Sequence, residues 1–167
     1  MHVTVWSIKP DAVGQGRQLV RALEEIGYRA SLRLLPLSKH FLIVENSSTR
    51  AQIGLMPWSA DYPSAAAILA DGNFDCAGFT PNSPGSFNPS EFCDRTTDRL
   101  IAQAQRVQET DQRAADGLWA RVEQRIVDQA PIVSLANPKN VDFVSRRAGN
   151  YEYNPEWGVL LDQLWVR

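Results

Sequence analysis

Histidine is scarce in this chain: His2 and His40 are the only two among 167 residues. Neither has a companion at metal-ligand spacing, so no metal is expected and both read as surface or packing residues. Cysteine is as sparse, with Cys76 and Cys93 alone, and their separation matches neither a zinc pattern nor a redox Cys-x-x-Cys pair. No Walker lysine motif and no Gly-x-Ser-x-Gly elbow occurs. Gly14-Gln15-Gly16 opens like a dinucleotide fingerprint, but Leu19 stands where the third glycine belongs, and a plain loop before a helix accounts for it. Carboxylate pairs such as Glu24-Glu25 fall on helix exteriors, where solvated charge is the default. An excess of basic charge is also lacking: 17 Lys and Arg against 19 Asp and Glu leave a net charge of -2. That argues against a nucleic-acid or anionic-membrane surface. No apolar run approaches the roughly 18 residues of a membrane span, and no basic segment with an apolar stretch follows Met1, so no signal peptide is expected. These absences leave little for a small α/β enzyme, which needs a nucleophile-base pair or a metal cluster. No catalytic residue and no cofactor is expected.

What is present is an ordinary globular composition, 44% hydrophobic and 22% charged, with length for one domain and a real core. Val3 to Ile8 is β-branched and aromatic and reads as a strand, broken by Lys9-Pro10-Asp11. Leu19, Val20, Leu23 and Ile26 recur at helical spacing over Gly16 to Ile26, and Gly27 suits a left-handed cap. Tyr28 to Leu35 reads as a second strand, so the opening is β-α-β and favours a parallel sheet. Ser38 is expected to cap a short helix reaching Asn46, and Gln52 to Trp58 to form a third strand. Pro63 is placed in the first turn of a helix containing Ala65 to Leu69. Asp71 to Pro89 is a long loop. Two helices follow, Thr96 to Gln108 and Asp111 to Gln129, the second capped by Asp111 and ended at Pro131. Ile132 to Leu135 and Val141 to Ser145 are expected as short strands, and the apolar tail Trp157 to Val166 as docked.

Two features bear on function. Cys76 and Cys93 bracket the long loop. A disulfide in an oxidising compartment and two buried free thiols in a reducing one both fit their spacing. The run Trp58-Ser59-Ala60-Asp61-Tyr62-Pro63 leaves an apolar strand, and in an open α/β sheet ligands sit at the carboxyl ends of strands. Trp58 offers an apolar face and Asp61 a charge-assisted partner for an ammonium group. The alternative is that Trp58 is core and Asp61 caps the next helix.

Four segments in this order resemble the C-terminal part of the family 5 extracellular solute-binding proteins, the peptide-binding components of ABC importers. They are the strand and helix ending in LEEIGYRASLRLLP, then GLMPWSADYP, FCDRTTDRLIAQAQ and ADGLWARVEQRIVDQAPIVSLAN. The resemblance implies one lobe of a type II periplasmic-binding-protein fold, α/β with a mixed, mostly parallel sheet flanked by helices. It implies that the whole chain, 1–167, is the C-terminal lobe of a two-lobed, hinge-closing, non-catalytic protein. Its ligand would be a small solute or peptide, its partner the membrane permease of an importer, and its location extracytoplasmic. By matching position, Asp61 would meet the ligand's α-amino group and Trp58 would line a side-chain pocket; Tyr62 is expected to pack with Trp58 on the ligand's side chain. The resemblance also favours a Cys76–Cys93 disulfide. Three places depart from the family pattern. Ser64-Ala65 replace Asp-Pro, Pro57 replaces a Gly, and Leu55 stands where some members carry an Arg for the peptide carboxylate. A ligand-sensing module of an intracellular regulator built on the same fold is the alternative. An isolated lobe would also expose the face that meets its counterpart, which favours self-association.

Overall fold

The computed structural model describes residues 1–137, 139, 141–155 and 157–167. The chain opens with strand β1, His2–Lys9, followed by helix α1, Val13–Glu25, and strand β2, Arg29–Pro36. Helix α2, Leu37–Val44, comes next, then a two-residue strand β3, Ile53–Gly54. The sheet has the order β2-β1-β3 and both pairings are parallel, Val5 lying opposite Leu32 on one side and Ile53 on the other. The β-α-β opening therefore forms as its hydrophobic period requires.

The strand alternation assigns each face of the sheet. On one face a Cβ at Gly16 of α1 would lie 2.6 Å from the Leu32 side chain and 2.9 Å from Ser7 Cβ, so α1 packs closer than alanine would permit. On the other, a Cβ at Gly54 would meet the Val44 side chain at 2.5 Å, which places α2 there together with Trp6. Gly27, at φ +93°, closes α1, with its N–H donating to the Glu24 carbonyl and that of Tyr28 to Leu23. The Lys9–Pro10 peptide is cis.

A second core is helical. The single-turn helix α3, Ala66–Leu69, packs with α4, Arg95–Gln108, and α5, Gln112–Gln129. Ala66, Ala70, Phe74, Ile101, Ala104, Ala115, Trp119, Val122 and Ile126 form one buried cluster between them. Asp111 caps α5 by accepting from the Ala114 N–H at 3.0 Å. That helix closes at Ala130, left-handed at φ 52°, one residue before Pro131. Asp94 caps α4, accepting from the Thr97 N–H at 3.0 Å and the Thr97 hydroxyl at 2.8 Å. The same carboxylate takes the Arg125 Nε–H at 2.5 Å, tying the start of α4 to α5.

Several sequence expectations need correction. The third strand is two residues long rather than seven: the Leu55 N–H still donates to the Trp6 carbonyl, and the chain then turns away before Pro57, which has no N–H to offer a ladder. Ser38 does not cap α2. The helix begins at Leu37, with Pro36 as its extended N-cap and no side-chain cap. No strand forms over 132–135 or 141–145 among the described residues; Val141 is 92% and Phe143 97% exposed, with no neighbouring strand to pair. The tail is not buried either. Its only regular structure is three short pieces: the antiparallel pair of strands β4, Ala148–Gly149, and β7, Trp165–Val166; the pair β5, Tyr153–Asn154, and β6, Gly158–Val159; and one 3-10 turn. Leu161 stays 75% exposed and Val166 70%. The tail is held to residues 147–154 by these ladders and by the Trp165 ring over Gly149, at the surface rather than in either core.

Candidate ligand-binding site

Parallel strands end on the same edge of a sheet, so β1, β2 and β3 all deliver their following loops there. The loop after β3 runs from Leu55 to Ala65 and displays Trp58, Asp61 and Tyr62. All three are exposed, Trp58 by 50% and Tyr62 by 41%. Trp58 is not core, and Asp61 caps no helix: α3 starts after Ala65 with no side-chain cap. Asp61 makes no hydrogen bond or ion pair among the described residues. An unpaired, solvated carboxylate whose charge reaches Tyr62, in the same loop as Trp58, can accept from an ammonium or other cationic donor without breaking a bond of its own.

Tyr62 is better held. Its hydroxyl donates to Asp71 Oδ2 in a very short hydrogen bond. That bond, with burial and the charges of Asp71 and Asp61, pushes the phenol up to about 12. Asp71 sits at φ 51° and Gly72 at φ 92°, so the Asp-Gly pair makes a left-handed turn that brings the carboxylate back to Tyr62. Sequence reading missed Asp71; the Asp-Gly dipeptide was the available signal, since it marks a turn of positive φ. Below Tyr62 lies an open depression of about 460 Å³ lined by Tyr62, Ser64, Ala66, Gln105, Gln108 and Glu109. Its floor is braced by a relay: Trp119 Nε1 donates to Gln108 Oε1 at 2.7 Å, and Gln108 Nε2 donates to Ser64 Oγ at 3.1 Å. A second depression of about 450 Å³ runs along α4 and α5 past Arg121 and Arg125 and shares none of these residues.

The 71–94 loop beside the site is rigidly tied. Cys76 and Cys93 are disulfide-bonded, with Cα atoms 4.5 Å apart. Asn88, fully buried, donates to the Phe92 carbonyl at 2.6 Å and to the Asp75 carbonyl at 3.1 Å. Asp75 accepts the Gly78 N–H at 2.7 Å. A Cβ at Gly78 would lie 1.8 Å from the Gly72 carbonyl oxygen, so only glycine lets the loop fold back on the Asp71-Gly72 turn. Of the two histidines, His2 is exposed beside the Ser31 hydroxyl, at 3.0 Å, whereas His40 is fully buried under the loop's starting point, its Nε2 2.7 Å from the Leu55 carbonyl oxygen. No group of three or more metal-ligating side chains gathers among the described residues.

No protein-family model matches the chain. It is 27% identical over 141 residues to the probable di/tripeptide-binding protein 5 of Pseudomonas aeruginosa strain UCBPP-PA14, a match covering 84% of this chain and 25% of that protein. The clavulanic acid biosynthesis oligopeptide binding protein 2 superposes on 99% of the chain with a TM-score of 0.88 at 20% identity. The chain has the fold of a segment of the periplasmic peptide-binding proteins. The murein tripeptide binding protein of Escherichia coli shares it over 99% of the chain, with a TM-score of 0.75 at 18% identity. So does a dipeptide binding protein from Pseudoalteromonas, solved with Met-Leu, with a TM-score of 0.75 at 16% identity. The resemblance carried by the four sequence segments therefore holds. The chain spans about a quarter of the length of the curated relative it matches and about a third of these solved structures.

Proposed function

We propose that this chain is the ligand-recognising lobe of a two-lobed solute-binding protein for small peptides, acting outside the cytoplasm and delivering its ligand to the permease of an ABC importer. Its action is non-covalent. Asp61 accepts the ligand's α-ammonium group, while Trp58 and Tyr62 cover the adjacent side chain. Closure of a second lobe removes water from the ion pair and strengthens it. The observation that supports this reading above all is the state of Asp61, solvated, without a bonded partner among the described residues, and carried with the exposed Trp58 and Tyr62 on the loop that leaves the carboxyl edge of the sheet. The peptide-binding relatives supply the ligand class.

The test is calorimetry on a protein in which this chain is joined to its complementary lobe, titrated with di- and tripeptides bearing either a free or an acetylated amino terminus. Binding of the free form, lost on acetylation and lost again in Asp61→Ala, is the expected result. Equal affinity of Asp61→Ala for the free peptides removes Asp61 from the site.

A further inference from the structure

His40 is a buried titratable group that the site above does not use. It lies on the inward side of α2, one turn before Val44, which packs over Gly54, and is 0% exposed. With Nε2 2.7 Å from the Leu55 carbonyl oxygen, that nitrogen carries the proton and donates. The other ring nitrogen, Nδ1, is buried and has no partner among the described residues. Leu55 is where the chain leaves the sheet. Its N–H is held by the Trp6 carbonyl at 2.9 Å and its carbonyl by His40, and no hydrogen bond holds the backbone of residues 56–61 among the described residues. The peptide groups of Leu55 are thus the last fixed point before Trp58 and Asp61.

We infer that His40 is the positioning residue of the ligand loop: its Nε2–H fixes Leu55, the point from which Trp58 and Asp61 are displayed, and protonation of its free Nδ1 releases that hold. Nδ1 is buried with no acceptor among the described residues, so the added charge is unsolvated where the ring sits; burial outweighs the Leu55 bond, and the proton favours a state in which the ring has left Leu55 for water. The elements around the ring bring no compensating charge. Lys39 of α2, Glu45 at its C-terminal cap, Lys9 of β1 and Arg33 of β2 are the titratable side chains they carry toward this end, and β3 carries none. Arg33 stacks on Trp6, 4.5 Å from the ring centroid, and burial raises the Glu45 carboxyl. None of these groups acts on His40; burial lowers its pKa below 6.5 and the Leu55 hydrogen bond partly opposes that. The consequence for ligand affinity, a weakening in acid, rests on the ligand reading above; the positioning role itself does not.

The test needs no ligand. Amide and indole N–H resonances of Leu55, Trp58 and Ala60 are followed by NMR as the pH falls from neutrality, alongside the His40 ring, with far-UV circular dichroism monitoring the fold. These four loop signals are expected to move with one midpoint, that of His40, while the fold persists. In His40→Gln, whose amide can donate to the Leu55 carbonyl but cannot ionise, that titration disappears; in Glu45→Gln it keeps its midpoint. Loop signals that still titrate in His40→Gln overturn the inference, as do signals that stay still while His40 titrates, or a midpoint that coincides with loss of the fold. Loss of peptide binding in Asp61→Ala bears on the ligand reading and leaves this result untouched.

Discussion

Replacing Asp94 by alanine tests whether the helical core is pinned at one carboxylate. Asp94 caps α4 through the Thr97 N–H and hydroxyl, adds a longer bond from the Thr96 N–H at 3.4 Å, and receives Arg125 from α5. Loss of an N-cap costs about 1 kcal/mol. The Asp94 and Arg125 side chains are 25% and 35% exposed, so the ion pair is discounted for solvent screening to about 0.5 kcal/mol. With the Thr97 hydroxyl bond the sum is about 2 kcal/mol, or about 4–8 °C in Tm for a chain of this size. The effect carries a pH signature. The Arg125 guanidinium and the Thr97 donors hold the Asp94 carboxyl far below its usual 3.8 when folded. A depressed carboxylate contributes stability that is complete above the unfolded value and drains as pH falls below it toward the folded value. Between neutrality and about pH 3 the gap between wild type and Asp94→Ala should therefore narrow by about 1 kcal/mol. Urea unfolding followed by circular dichroism at both pH values measures it. A gap that stays constant, or widens in acid, refutes the reasoning.

Reducing the Cys76–Cys93 bridge, or replacing both residues by alanine, frees a loop whose ends are 17 residues apart in sequence. The chain-entropy argument gives a loss of about 3 kcal/mol, read as a lower denaturation midpoint; identical midpoints for the oxidised and reduced chains contradict it. The Tyr62 phenol, pushed up to about 12 chiefly by its bond to Asp71, should titrate closer to 10.0 in Asp71→Asn, seen as phenolate absorbance missing from Tyr62→Phe. An unmoved titration removes that hydrogen bond from solution.

The helices α1, α4 and α5 were legible because their apolar residues repeat at helical spacing and their ends carry local signals, Gly27 and Asp111 among them. Asp94 stood in a segment resembling a helix start, but its tie to α5 was hidden, because it depends on Arg125, 31 residues away. The candidate loop after β3 was legible by its residues and not by its geometry. Trp58 and Asp61 could have been core and cap, and nothing local decides between those roles and an open site. His40 looked like any helix residue, because its burial and its grip on Leu55 arise only when α2 lies across the sheet.

By itself the sequence determined what close neighbours along the chain settle: the β-α-β opening, the helices α1, α4 and α5, the ends at Gly27 and Asp111, and a constellation resembling that of peptide-binding proteins. Tertiary structure alone decided where β3 stops, that Asp61 is solvated, and that the tail lies at the surface, and it bore out the Cys76–Cys93 disulfide that the resemblance favoured. Periodicity and capping act over a few residues, whereas exposure and pairing depend on what folding brings alongside from far away in the chain.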